Sequence, residues 1–167
     1  SHVISNISSG KCRLVGLISS FRIIDTRRGN LALIELDDKT GTIEVAISED
    51  EYNKYIDSII VDDIVVVEGA INKEQAGRPP SVRANYIESV DSYLEKFSDK
   101  LLINVDEDSL DNGFIEGLKT ILAKNESGNT KITLIITSKK SKARFDFGVE
   151  WEAKINMRAM IELNTFC

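Results

Sequence analysis

The sequence predicts a mainly β protein with an α+β tail: a five-stranded Greek-key barrel over residues 1–90, then a small α+β domain over residues 91–167. Three observations lead there. Apolar and polar residues alternate in successive short runs between residues 11 and 88, a helical pattern interrupts those runs after the third, and beyond residue 90 the alternation gives way to helical stripes between strands.

The first run, "KCRLVGLISSFRIID", is long and β-rich. Gly16 inside it suits a strand that bends sharply or bulges at a barrel corner. "LALIELDD" sets Ala32, Ile34 and Leu36 on one face and Leu33, Glu35 and Asp37 on the other. "KTGTIEVAIS" repeats the pattern with Ile43, Val45 and Ile47 inward, and the "DDKTG" between the two runs signals a hairpin. "SEDEYNKYIDSI" opens with Ser48 and Glu51 in the spacing of a capping box, and its Tyr52, Tyr55, Ile56 and Ile59 recur at helical intervals. "DDIVVVEGAINK" and "SVRANYIESV" supply strands four and five; the "EQAGRPP" between them cannot continue a sheet.

Five strands with a helix between the third and fourth is the connectivity of an OB-fold, whose strand 2 and 3 face and flanking loops commonly grip nucleic acid. "DTRRGN" then becomes the loop between strands 1 and 2, and "EQAGRPP" the loop between strands 4 and 5. Arg27, Arg28 and Arg78 on these loops are placed to reach phosphates, with Arg22, Lys73 and Arg83 as neighbours. Phosphate neutralisation supplies most non-specific affinity. Against it stand Glu35, Asp37 and Glu44 on the outward face of strands 2 and 3, which repel a phosphate backbone. That face carries no aromatic for base stacking, and Phe21, near the end of strand 1, is the one candidate nearby. Binding is therefore expected to be weak and salt-sensitive.

Bulk composition narrows the function further. The 167 residues carry a net charge of −6 and 42% hydrophobic content, ordinary for a globular protein. No apolar stretch approaches the roughly 20 residues of a membrane span, and no secretory signal is present, so a soluble, cytoplasmic chain with no membrane partner is expected. Cys12 and Cys167 lie far apart without a metal-ligand spacing and read as structural. His2, the one histidine, follows Ser1 without an initiating Met and reads as a tag remnant, the chain as an excised fragment. Without a second histidine, a G-x-S-x-G elbow, a phosphate-cradling glycine loop or a carboxylate cluster at strand ends, no nucleophile and base can be paired. The fragment is expected to be no enzyme, with no catalytic residue, metal site or cofactor of its own.

Past residue 90, "DSYLEKFSDK" reads as a charged connector with a short helix and "LLINV" as a strand. "DSLDNGFIEGLKTILAKN" aligns Leu110, Phe114, Leu118, Ile121 and Leu122 on one helical stripe, ended by "SGN". "TKITLIIT" and "KARFDFG" are strands joined by "SKKS", "VEWEAKI" is a candidate third, and "NMRAMIELNTF" a closing helix capped by Asn156 with Met157, Met160 and Ile161 inward. The expected result is a helix on a small antiparallel sheet.

These runs carry a family resemblance. The stretch from "CRLVGLISSFRIIDTRRGN" through "LDDKTGTIEV" to "DDIVVVEGAI" closely resembles the OB-fold segment of the bacterial DNA polymerase III alpha subunit, with its "T-x-R-G" loop, its "L-D-D-x-[ST]-G-x-[IL]-E-V" hairpin and its fourth-strand pattern. Thr26, Arg28 and Gly29 match that loop, and Arg27 stands where lysine is common. "KARFDFGVEWEA" is similar to a pattern in that subunit's last domain. The resemblance implies a parent DNA-directed DNA polymerase of the replisome whose palm domain, with its magnesium, lies upstream. It also implies an OB segment that guides single-stranded template DNA, a last domain that docks the clamp-loader tau subunit, and a sliding-clamp peptide outside these residues. Two other readings share the fold or the composition. One is an anticodon-binding OB module of an aminoacyl-tRNA synthetase, which would carry stacking aromatics on the barrel face; the other is a protein-interaction module without a nucleic-acid role. For the tau contact the aromatic edges of Trp151 and Phe166 are the candidates.

Overall fold

The computed structural model describes residues 10–27, 29–72, 79–125 and 127–166. The chain divides between Val90 and Asp91 into two compact units.

In the first unit β1 (Lys11–Thr26), β2 (Gly29–Asp37), β3 (Thr42–Ser48), β4 (Ile64–Asn72) and β5 (Ser81–Ser89) close a barrel in the order β1-β2-β3-β5-β4. Every pairing is antiparallel except β3 with β5, which is parallel. With α1 (Glu49–Tyr55) between β3 and β4, this is the OB-fold. Closure depends on the length of β1. Its first half, Lys11–Leu17, pairs with β4, and its second half, Leu17–Thr26, pairs with β2, so one strand joins both edges.

Gly16 sits where β1 changes partner, but it is not the bulge. The irregularity falls at Ser19, since Ile18 pairs with Leu36 and Ser20 with Glu35. What Gly16 provides is room: a Cβ there would stand 3.1 Å from the Asp37 carbonyl oxygen and 3.2 Å from the Leu36 Cβ. The alternation sorts the core as expected. Ala32, Ile34 and Leu36 of β2 and Ile43, Val45 and Ile47 of β3 point inward, meeting Ile18, Val65, Val67, Val82 and Ile87. At about 1.5–3 kcal/mol for each fully buried aliphatic side chain, this cluster dominates the unit's stability.

Tyr52, Tyr55 and Ile59 pack against that core, whereas Ile56 stays 47% exposed. The expected capping box does not form, because the Ser48 side chain makes no cap hydrogen bond. Three consecutive acids, Glu49, Asp50 and Glu51, occupy the first turn instead, where the helix dipole favours negative charge.

The second unit contains α2 (Val90–Phe97, beginning on the last residue of the first unit), β6 (Lys100–Asp106), α3 (Phe114–Ala123), β7 (Ser127–Thr137), β8 (Lys142–Asp146) and α4 (Met157–Phe166). Its sheet, ordered β6-β7-β8, is mixed rather than antiparallel. The reason is the connection: α3 provides the long crossover that parallel β6 and β7 require, and the short turn after Thr137 returns β8 antiparallel. Residues 127–129 open β7 instead of ending the helix. α3 begins only at Phe114, after a turn in which Asp111 Oδ1 accepts the Gly113 amide at 2.9 Å. The candidate strand near Trp151 is a single 3-10 turn, Val149–Trp151, and of that stretch Ala153 alone bridges to Thr130.

Asn156 caps α4 as expected, its Oδ1 accepting the Ala159 amide at 2.8 Å. The buried row of that helix is Ala159 and Leu163, four residues apart; Met160 and Ile161 are 38% and 60% exposed, so the inward stripe lies elsewhere than the hydrophobic residues first suggest. Leu163 joins Ile103, Val105, Phe114, Leu118, Leu122, Ile132 and Leu134 in one core. Trp151 stacks on Phe147 at 4.4 Å, and Phe166 on Phe114 at 5.2 Å. Both aromatics therefore serve the packing of their own unit. Among the described residues no helix is long and apolar enough to cross a membrane.

Candidate nucleic-acid interface

The outer face of the barrel is built by register. Arg22 of β1 lies opposite Leu33 of β2, Leu33 opposite Ala46 of β3, and Ala46 opposite Arg83 of β5. Two arginines thus bracket one row across four strands, with an aliphatic pair between them. The next row towards the loop holds Ile24, Leu31 and Ser48. Beside these rows a groove of about 430 Å³ is lined by Thr26, Gly29, Leu31, Ala46, Ser48 and Arg83, with Asn30, Asn72, Glu49 and Asp50 along its walls.

The loop at the head of the groove is held by local chemistry. Thr26 Oγ1 donates to the Gly29 carbonyl at 2.7 Å, and Glu49 Oε2 accepts the Asn30 amide at 3.2 Å. Gly29 takes φ +105°, in the region that side chains disfavour, and a Cβ there would meet Glu49 Oε2 at 2.9 Å. Glycine fits this turn for both reasons. On the other side, Gly69 of β4 lets β5 approach: a Cβ at that position would collide with the Arg83 carbonyl. A bulge follows, since Gly69 pairs with Ala84 and Glu68 with Tyr86, leaving Asn85 over.

The six expected cations meet different fates. Arg83 is exposed in the groove with no carboxylate partner among the described residues. Arg27 is exposed on the loop, where it bridges to Gly29 through the backbone. Arg22 donates to Glu44 Oε2 at 2.7 Å in a surface ion pair. Arg28, Lys73 and Arg78 lie outside the described residues.

The acidic groups are partly occupied as well. Glu44 is offset by Arg22, Asp37 Oδ1 accepts the Lys39 amide at 2.7 Å, and the Asp38 carboxylate takes the Thr40 hydroxyl, the Thr40 amide and the Gly41 amide. Those bonds, the Thr40 hydroxyl foremost, hold Asp38 below the usual carboxylate range and fix the β2–β3 turn. Glu35 remains close to the Ser19 hydroxyl. The repulsion expected from this face is therefore smaller than three bare carboxylates would give.

Phe21 is not a stacking platform on this face. It points to the other side of β1 from this face, in register with Ile34, and stacks on Tyr52 at 5.8 Å with planes 15° apart while staying 36% exposed. What sequence reasoning missed is the aliphatic floor: Leu33 is buried, 7% exposed, although its parity points outward, and Leu31 and Ala46 line the groove. An apolar residue at an outward position of an alternating strand was the available signal. Among the described residues no group of three His, Cys, Asp or Glu side chains is placed to hold a metal ion.

Residues 12–90 match the family described as an OB-fold nucleic acid binding domain, whose model is labelled tRNA anti-codon. The chain is similar to the DNA polymerase III subunit alpha of Escherichia coli (strain K12), 26% identical over 149 residues that cover 89% of this chain and 13% of that protein. The Vibrio cholerae subunit alpha is 27% identical over 139 residues, 83% of this chain and 12% of that protein. The chain thus spans about an eighth of the length of the curated relatives it matches. Among solved structures, the second single-stranded DNA binding protein (SSBb) from Mycobacterium smegmatis aligns with 51% of this chain and 90% of its own, at TM-score 0.45 and 18% identity.

Proposed function

We propose, from the similarity to DNA polymerase III alpha subunits along nearly nine-tenths of the chain, that the first unit is a weak, salt-sensitive contact for single-stranded DNA in a bacterial replicative polymerase. The observation that carries this reading is Arg83, exposed and without a carboxylate partner among the described residues, beside the aliphatic floor and across the groove from the Thr26–Gly29 turn. A strand laid along the groove sets phosphates against Arg83 and Arg27, and its bases against Leu31 and Ala46. Without an aromatic platform the stacking gain of about 1–3 kcal/mol per base is largely forgone, so affinity rests on phosphate neutralisation. Arg22 joins only when phosphate displaces Glu44, an exchange that costs little because exposed ion pairs are worth about 0–1 kcal/mol.

In this reading the polymerase active site, its magnesium and the sliding-clamp peptide belong to parts of the parent outside these residues, and the second unit docks the clamp-loader tau subunit in the cytoplasm. The test of the DNA contact is fluorescence anisotropy of a labelled oligodeoxythymidine at low salt. Arg27→Ala with Arg83→Ala is expected to weaken binding by at least tenfold and to lower the salt slope by about 1.4, since each single-strand phosphate left without its cation subtracts about 0.7. Parental binding by the double variant sinks the reading, and a preference for tRNA over DNA moves the barrel to the anticodon-binding alternative. Tau docking is tested by co-migration of the purified chain with tau in size exclusion. Separate elution of the two proteins would remove that partner.

A further inference from the structure

We propose that the open face of the second unit's sheet is a separate binding surface for a nucleic-acid backbone, independent of the barrel groove. Register assembles the surface. Lys100 of β6 lies opposite Lys131 of β7; further along the same face come Arg144 and Lys142 of β8, opposite Ile135 and Thr137. The turn between β7 and β8 adds Lys139 and Lys140, and all six cations are exposed. The opposite face of the sheet is sealed by the core around Leu118, Leu134 and Leu163, so this one is the face turned to solvent.

Two carboxylates share the face, Asp106 and Asp146. Asp146 is divided between Arg144 at 3.0 Å and Lys100 at 3.5 Å, with the Thr133 hydroxyl also bonded to it, so one anion serves two cations. Glu107 and Asp108 stand across a crevice from Lys139 and Lys140 at the end of the strands. Lys131, Lys139, Lys140 and Lys142 have no ion-pair partner among the described residues. In a chain of net charge −6, six cations against these four carboxylates leave a local positive excess, the electrostatic footprint of a polyanion site. Between the cations the face offers Leu102, Asn104 and the half-buried Ile135, while Thr133 is buried and bonded to Asp146. The cations are spread over β6, β7, β8 and the β7–β8 turn rather than gathered at one point, which favours a repeating phosphate backbone over an acidic protein segment, whose affinity depends on a few anchoring side chains.

The test uses the whole chain carrying Lys131→Glu with Lys142→Glu, and separately Lys139→Gln with Lys140→Gln on the turn. Anisotropy with labelled oligodeoxythymidine is followed from low to moderate salt, in the parent barrel and in the Arg27→Ala, Arg83→Ala background. The expected result is at least a fivefold loss of affinity and a salt slope smaller by about 1.4 for each pair, in both backgrounds. Loss in the parent barrel with no further loss in the barrel variant would tie these lysines to the groove's own contact and overturn independence. Unchanged affinity and slope in every variant would overturn the surface itself. Equal competition by polyglutamate at matched charge would assign the face to acidic protein and overturn the nucleic-acid proposal. The turn variant, remote from the packed core, keeps the test decisive if the strand variant fails to fold.

Discussion

Arg22 and Glu44 meet at 2.7 Å on the outer face of the barrel, a β1 cation held diagonally by a β3 carboxylate beside the row that ends in Arg83. Each partner keeps more than two-fifths of its side-chain surface in water, so the pair stabilises the fold little and is available for exchange. Glu44→Gln is expected to leave the thermal midpoint nearly unchanged while tightening single-stranded DNA binding about threefold at low salt, since it frees Arg22 and removes an anion. Weaker or unaltered binding would place the nucleic acid away from this row.

Gly29 holds the turn at the head of the groove at φ +105°. Gly29→Ala is expected to cost about 1–2 kcal/mol of stability, because alanine must bear the left-handed conformation and press on Glu49. Circular-dichroism melting checks this. A variant as stable as the parent would mean that the turn adopts another backbone.

Asp146 contributes to the acid response of the second unit, as does Glu162, whose carboxyl Lys124 and Arg158 hold below its usual range. Hydrogen bonds from the Thr133 hydroxyl and then from Arg144 pull the Asp146 carboxyl down from 3.8 to about 2. A carboxylate depressed in the folded state contributes stability that is full above its unfolded pKa and lost as pH falls through the folded value. Urea midpoints followed by the fluorescence of Trp151, the single tryptophan, should therefore fall from about pH 4 to about pH 2. Asp146→Asn should flatten that fall; an identical slope in the variant would contradict the assignment.

Asn156 satisfies the Ala159 amide at the start of α4. Asn156→Ala should cost about 1 kcal/mol, and Asn156→Ser or Asn156→Asp should recover most of it. If the three substitutions act alike, the loss comes from something other than the cap.

The barrel was legible because its signals are local. Alternation alone assigned Ile34, Val45 and Ile47 inward, and a single helix after β3 selected one topology from many. The sheet of the second unit was less so, since parallel or antiparallel pairing of β6 and β7 depends on how α3 crosses over, which periodicity in either strand does not encode. The inward face of α4 was misjudged for a related reason: Ala159, small and weakly hydrophobic, takes the buried row because it allows close approach, while larger Met160 and Ile161 stay out. Arg83 lies in the groove lining and Arg27 on the neighbouring loop, but no pattern in the chain paired Arg22 with Glu44 or set Phe21 against Tyr52. Those are relations across strands, created by register.

The most direct test of the groove is an amide chemical-shift titration of the isotopically labelled chain with oligodeoxythymidine. Shifts are expected to concentrate on Gly29, Asn30, Leu31, Ala46, Ser48 and Arg83, and to fade as salt is raised. Shifts that leave these six residues unmoved while others respond, or a response insensitive to salt, would contradict the placement of single-stranded DNA between the Thr26–Gly29 turn and β5.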